Sequence, residues 1–163
     1  MVSRKQAGDS RGASGAYLPA LVALGLLLVS AGGSAQERPY PIFSVDHLDA
    51  IMKTLGPNVA GVRAALVEAD YPTAKQRAIR SREQLATTVT FWRDRERDDA
   101  LEWLRSALSR LDALDTALSV DEKDPAVLGS ITAELTEYCV ACHTAYRERD
   151  QNGDYQLRVS ALP

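Results

Sequence analysis

From Ser44 onward the apolar positions recur at helical spacing: Val45, Leu48, Ile51, Met52, Leu55, Val59, Val62 and Leu66. Ser44 stands where an N-cap belongs. Gly56-Pro57 falls inside this stripe. A proline there removes one helical hydrogen bond and crowds the Lys53 carbonyl, which predicts a kink or short break near Leu55. Asp70-Tyr71-Pro72 marks a turn, with Pro72 suited to the first position of a second helix. That helix is predicted to run to about Phe91-Trp92, carried by Ala78, Leu85, Val89 and Trp92. The charged run Arg93 to Asp99 reads as a solvated loop. A third stripe comprises Leu101, Leu104, Leu108, Leu111, Leu114 and Leu118. Asp121 to Asp124 form a loop, and Pro125 opens a fourth helix with Leu128, Ile131, Leu135, Tyr138, Cys139, Cys142 and Tyr146 inward. Gln151-Asn152-Gly153 reads as the turn that ends it. No segment shows the sustained two-residue alternation of a strand. The prediction is an all-α, antiparallel four-helix bundle.

The first 35 residues carry a different pattern. Arg4, Lys5 and Arg11 precede an apolar block from Leu18 to Ala31, followed by Gly33-Ser34-Ala35. This is the layout of a secretory signal peptide cleaved after Ala35, leaving a mature domain of residues 36–163 with a short tail from about 150. The competing reading is an uncleaved membrane anchor. The dense apolar block is well short of the ~20 residues that span a bilayer as a helix, so no stable membrane insertion is expected after cleavage. Export implies a periplasmic location.

Composition narrows the function. The chain has 163 residues, room for one domain. Its net charge of -3 becomes -5 without residues 1–35, since (19 − 3) bases face (22 − 1) acids. Nothing there neutralises phosphates, and nucleic acid is not an expected partner. Two cysteines outside a reducing cytosol must be oxidised, ligated or covalently capped.

Cys139-Val140-Ala141-Cys142-His143 supplies the cap. Cys-x-x-Cys-His is the attachment signature of c-type haem, in which two thiols take up the two vinyl groups and the histidine ligates iron. On a helix the three side chains fall within an arc of about 100° and face one flat macrocycle. The expected cofactor is one covalent haem c with its iron, His143 being the proximal ligand. A zinc site would need a fourth ligand, and only His47 remains for it. A thioredoxin-like pair belongs in a βαβ setting. A disulfide across a single helical turn would be strained. Met52 lies about 40° from the centre of the first stripe. It reads either as a core residue filling space or as a thioether ligand at the sixth position of iron. His47, at the edge of that stripe, reads as a surface histidine.

A C-terminal Cys-x-x-Cys-His on the last helix of an exported bundle resembles cytochrome c′ and its Met-ligated, low-spin relatives. Thr144-Ala145-Tyr146-Arg147 is similar to the aromatic and basic residues that follow the family's histidine, and Ile51-Met52-Lys53 sits where the family places its distal residue. The resemblance spans residues 44–149. It implies Met52 as candidate sixth ligand, Arg147 beside the proximal imidazole, and by analogy a homodimer. Arg82 reads as a partner for a haem propionate or as a side chain reaching to the rim. One departure is Leu48, where many members carry an arginine.

Two functions follow. The first is an electron carrier serving redox partner proteins, which needs no catalytic constellation and is therefore not an enzyme. The alternative is a five-coordinate protein that binds nitric oxide or carbon monoxide. Occupancy of the sixth position by Met52 separates them.

Overall fold

A computed structural model describes residues 44–162; the predicted leader and its cleavage point lie outside them. The described chain is mostly helical. It comprises α1 (Val45–Val67), α2 (Tyr71–Ala86), a five-residue α3 (Val89–Arg93), α4 (Asp98–Ala117) and α5 (Pro125–Tyr146). Two short strands follow, β1 (Arg147–Arg149) and β2 (Tyr155–Leu157), and then a 3-10 turn at Val159–Ala161. None of the described helices is long and apolar enough to cross a membrane.

The caps explain most of the boundaries. The Ser44 hydroxyl accepts from the His47 N–H, Asp70 caps α2 through the Thr73 N–H, and Asp124 caps α5 through the N–H groups of Ala126 and Val127. Pro72 and Pro125 occupy first-turn positions, where a missing N–H is harmless. Pro57 does not break α1, which is continuous from end to end. Gly56 and Pro57 are both exposed, so the local disturbance faces water rather than a neighbouring helix.

Two further expectations change. The second helix stops at Ala86, where the Thr87 and Thr88 hydroxyls bond back to the carbonyls of Gln84 and Leu85. Those bonds offer the backbone an alternative to helix, and α3 starts afresh with Phe91 and Trp92 fully inward. The C-terminal tail, read as strandless, is instead an antiparallel hairpin pairing Arg147 with Leu157 and Arg149 with Tyr155. Its turn is held by Asp150, whose carboxylate accepts from the N–H groups of Asn152 and Asp154. Gly153 has φ +85, a conformation that costs an L side chain about 1–2 kcal/mol. Gly153→Ala is expected to destabilise by about that amount, seen as a lower urea midpoint with an unchanged far-UV spectrum.

The core joins Leu48, Leu55 and Val62 of α1, Ala74, Ala78 and Leu85 of α2, the α4 leucines 101, 104, 111 and 114, and Leu128 and Leu135 of α5. Leu108 is only half-buried, whereas Ala107 and Ala100 are buried. The charged run is not merely solvated. Arg95 lies 3.7 Å over the Phe91 ring, Arg97 donates to the carbonyls of Ser160 and Leu162, and Asp99 accepts from Tyr146. It fastens the C-terminal segment to the α3–α4 corner.

Packing is uneven around the bundle. α1 lies closely along α2 and α4 along α5, and α2 meets α4. Of the four long-helix pairs that pack side by side, α1 and α5 approach each other least, leaving a seam flanked by half-buried apolar residues on both helices.

Candidate functional site

The helical phase of α1 decides what faces that seam. Thr54 and Asn58 lie about 100° and 60° to one side of Leu55. Both are tied to Gln84 of α2, through Gln84 Nε2 to Thr54 Oγ1 at 2.9 Å and Asn58 Nδ2 to Gln84 Oε1 at 2.9 Å. That side belongs to α2. On the other side, about 40°, 60° and 80° from Leu55, lie Val59, Met52 and Arg63. The same reasoning orients α5. Glu134, about 100° to one side of Leu135, accepts from Arg110 of α4 at 3.0 Å. Thr132, Cys139 and His143 lie about 60°, 40° and 80° to the other side, with Cys142 deeper at about 20° towards α4.

The two faces meet. A cleft of about 300 Å³ is lined by Arg63, Leu66, Val67 and Tyr71 from the first hairpin, and by Pro125, Leu128, Gly129 and Thr132 from α5. The end of α1 therefore lies against the start of α5, and the two helices run antiparallel. Moving 14 residues back along α1 from Leu66 and 14 forward along α5 from Gly129 leads to Met52 and His143. With equal rise on both helices, the predicted distal and proximal residues share one level of the seam. Lys53 agrees with this placement. Its ammonium is stabilised first by Asp49 at 2.6 Å and, more weakly, by Asp154 of the hairpin that follows α5.

The motif residues occupy an unusual environment for thiols. Cys139 and Cys142 are half-buried, one helical turn apart, and not joined to each other. Burial raises both, Cys142 to about 12 with further help from the charges of Cys139 and Asp99; at Cys139 the Arg63 guanidinium opposes the effect. Both are neutral thiols near pH 7, unlike the activated thiolate of a redox pair. His143 is lowered, first by burial and then by Arg147, so its imidazole is neutral and free to donate a lone pair. Among the described residues no three His, Cys, Asp or Glu converge as an ion cage.

Beneath Cys142 lies an aromatic floor. Tyr146 is 4.8 Å from Trp92 and 6.4 Å from Trp103, ring centre to ring centre, and Trp92 meets Phe91 edge-on. The Tyr146 hydroxyl donates to Asp99 at 2.5 Å. Its pKa is pushed up to about 12, chiefly by burial and then by that carboxylate.

The remaining sequence candidates sort clearly. Arg147 does stand beside His143, with its guanidinium 3.9 Å above the Tyr155 ring; Arg149 stacks on the same ring at 4.1 Å. A shallow polar hollow next to His143 is lined by these residues together with Thr144 and Glu148. Arg82 is engaged in an ion pair with Asp112 of α4 on the outer surface. His47 is half-buried at the first turn of α1, on the α2 side of Leu55 and away from the seam. Leu48 is core. Sequence reading missed Arg63, Asp99 and Tyr155. Arg63 had a signal: it follows Met52 by 11 residues, a step that returns to within about 20° of the same face. Comparison of the chain with protein-family models, curated proteins and solved structures finds no match.

Proposed function

We propose that this chain is an exported c-type cytochrome of the cytochrome c′ kind, acting as an electron carrier. The observation that carries the reading is the placement of Cys139, Cys142 and His143 on one arc of α5, at a loosely packed seam whose other wall presents Met52 at the same level. The residues fit the cofactor. Cys139 and Cys142 would hold it through thioether bonds, His143 would ligate on one side, and Met52 on the other. When bound, haem supplies an iron that cycles between two oxidation states.

The chain's own groups suit that role. Burial first, and then the charge of Arg147, lower the His143 pKa, so its imidazole offers a lone pair without first losing a proton. Trp92, Trp103 and Tyr146 pack into an aromatic wall on the Cys142 side. Half-buried Ile51, Met52 and Val59 offer matching apolar surface from α1.

The test is an absorption spectrum of the purified ferric and ferrous protein, with mass spectrometry of the chain. One haem retained through acidified organic solvent, with a low-spin six-coordinate spectrum, is the expected result. Haem that extracts completely overturns the attachment. A high-spin ferric spectrum with fast carbon monoxide binding would replace the electron carrier by the gas-binding alternative.

A further inference from the structure

The aromatic floor beneath the attachment motif reaches the surface through one ring. Tyr146 follows Cys142 by one helical turn and lies between Cys142 and His143 in phase, about 40° from the first and 60° from the second. Its ring is buried and packs on Trp92, which is buried too, and Trp92 is backed by buried Phe91. That direction is closed. The other ring contact of Tyr146 is with Trp103, 6.4 Å away, and Trp103 is only half-buried on α4. A line of packed π-systems therefore leads from beneath Cys142 to water.

The surroundings of Trp103 carry one sign of charge. Asp99 precedes it by one turn on the same face, and Glu102 is its immediate neighbour. Both acids are exposed, and neither enters an ion pair among the described residues. Arg110, two turns further along that face, is already paired with Glu134. Arg97 is turned away to the carbonyls of Ser160 and Leu162. Asp99 also accepts the Tyr146 hydroxyl at 2.5 Å, which holds that ring in the line.

An electron tunnels far more readily through packed atoms than across a gap filled by water. We infer that Trp103 is the port through which the cofactor exchanges electrons with a partner that presents a cationic face. The inference rests on the haem reading above. One electron leaves ferrous iron, which becomes ferric, and arrives at a one-electron acceptor docked on Trp103. No proton moves, and neither Tyr146 nor Trp103 is itself oxidised. The exposed carboxylates of Asp99 and Glu102 attract the cation and raise its rate of encounter at this spot.

The experiment follows oxidation of the ferrous holoprotein by stopped flow with two probes. One is tris(phenanthroline)cobalt(III), a cation with flat aromatic ligands; the other is the anion hexacyanoferrate(III). The wild type is compared with Trp103→Leu, with Glu102→Lys and with Glu83→Lys, a control that reverses an exposed acid on α2. Midpoint potentials are measured alongside, so that rates are compared at equal driving force. Trp103→Leu is expected to slow the cobalt reaction several-fold and to leave the hexacyanoferrate reaction unchanged, because an anion is repelled from this face and reacts elsewhere. Glu102→Lys also slows the cobalt reaction and weakens its dependence on salt. Glu83→Lys does neither. A Trp103→Leu protein that keeps the wild-type cobalt rate, or that slows with both oxidants alike, overturns the inference. If Trp103→Leu does not accumulate as holoprotein, Glu102→Lys decides: a cobalt rate no lower than that of Glu83→Lys overturns the port. Wild-type protein without covalent haem overturns the proposed function instead, and the two failures are distinct.

Discussion

Replacing Cys139 and Cys142 together by alanine is expected to abolish covalent haem and lower the thermal midpoint by well over 10 °C. The reason lies in the uneven packing. α1 and α5 meet least of the neighbouring long helices, and Ile51, Met52, Val59, Ile131, Tyr138, Cys139 and Cys142 are all only partly buried. A macrocycle covering that apolar surface contributes more than a single buried leucine, whose truncation alone costs ~2.7–5 kcal/mol. At about 4 °C per kcal/mol for a domain of this size, the loss exceeds that of an ordinary core substitution. Circular dichroism melts of variant and wild type make the comparison. A haem-free double variant as stable as the holoprotein would show that the seam needs no filling. His143→Ala should keep the thioether bonds and lose the native spectrum; a variant that retained both its spectrum and its melting point would remove His143 as the proximal ligand.

Met52→Ala is the second large effect. With the side chain on the seam face of α1 and level with His143, the wild type is expected to be six-coordinate, low-spin and slow to bind carbon monoxide. The substitution removes the thioether, opens a coordination position and gives a high-spin spectrum. It also lowers the midpoint potential, because a soft sulfur ligand favours ferrous iron. Absorption spectra, carbon monoxide binding rates and potentiometry report the three changes together. An unchanged ligation state in Met52→Ala would mean that Met52 only packs. The electron-carrier reading would then lose its chief support.

What could be read from the sequence was whatever depends on one residue and its near neighbours. Ser44, Asp70, Pro72, Asp124 and Pro125 announce helix starts because caps and first-turn prolines act locally. The leucines of α4 announce a buried face for the same reason. The motif was legible because its three residues lie within five positions of one helix. The errors have the opposite character. Thr87 and Thr88 interrupt a good apolar stripe through hydroxyl bonds that periodicity does not register. The Arg147–Leu157 hairpin is too short to alternate visibly, and it is held by Asp150 and by stacking on Tyr155. The sequence singled out Arg82 as a base within an apolar stripe and passed over Arg63. Only the neighbouring helices separate them: Asp112 of α4 meets the first, and the cleft against α5 receives the second.

The seam has one more property, which belongs to the chain as a polymer. Its walls come from opposite ends of the described sequence: Met52 and Cys139 are 139 − 52 = 87 residues apart. Anything fastened to both closes a loop of that length, and a permanent cross-link of such a loop removes unfolded-chain entropy equivalent to about 4–5 kcal/mol. The hairpins α1–α2 and α4–α5 close shorter loops and would gain less from a tie of this kind. A bond to Met52 would therefore act on the whole domain as a clasp between its two ends, and ligation at a single sulfur would be felt as cooperativity throughout the bundle.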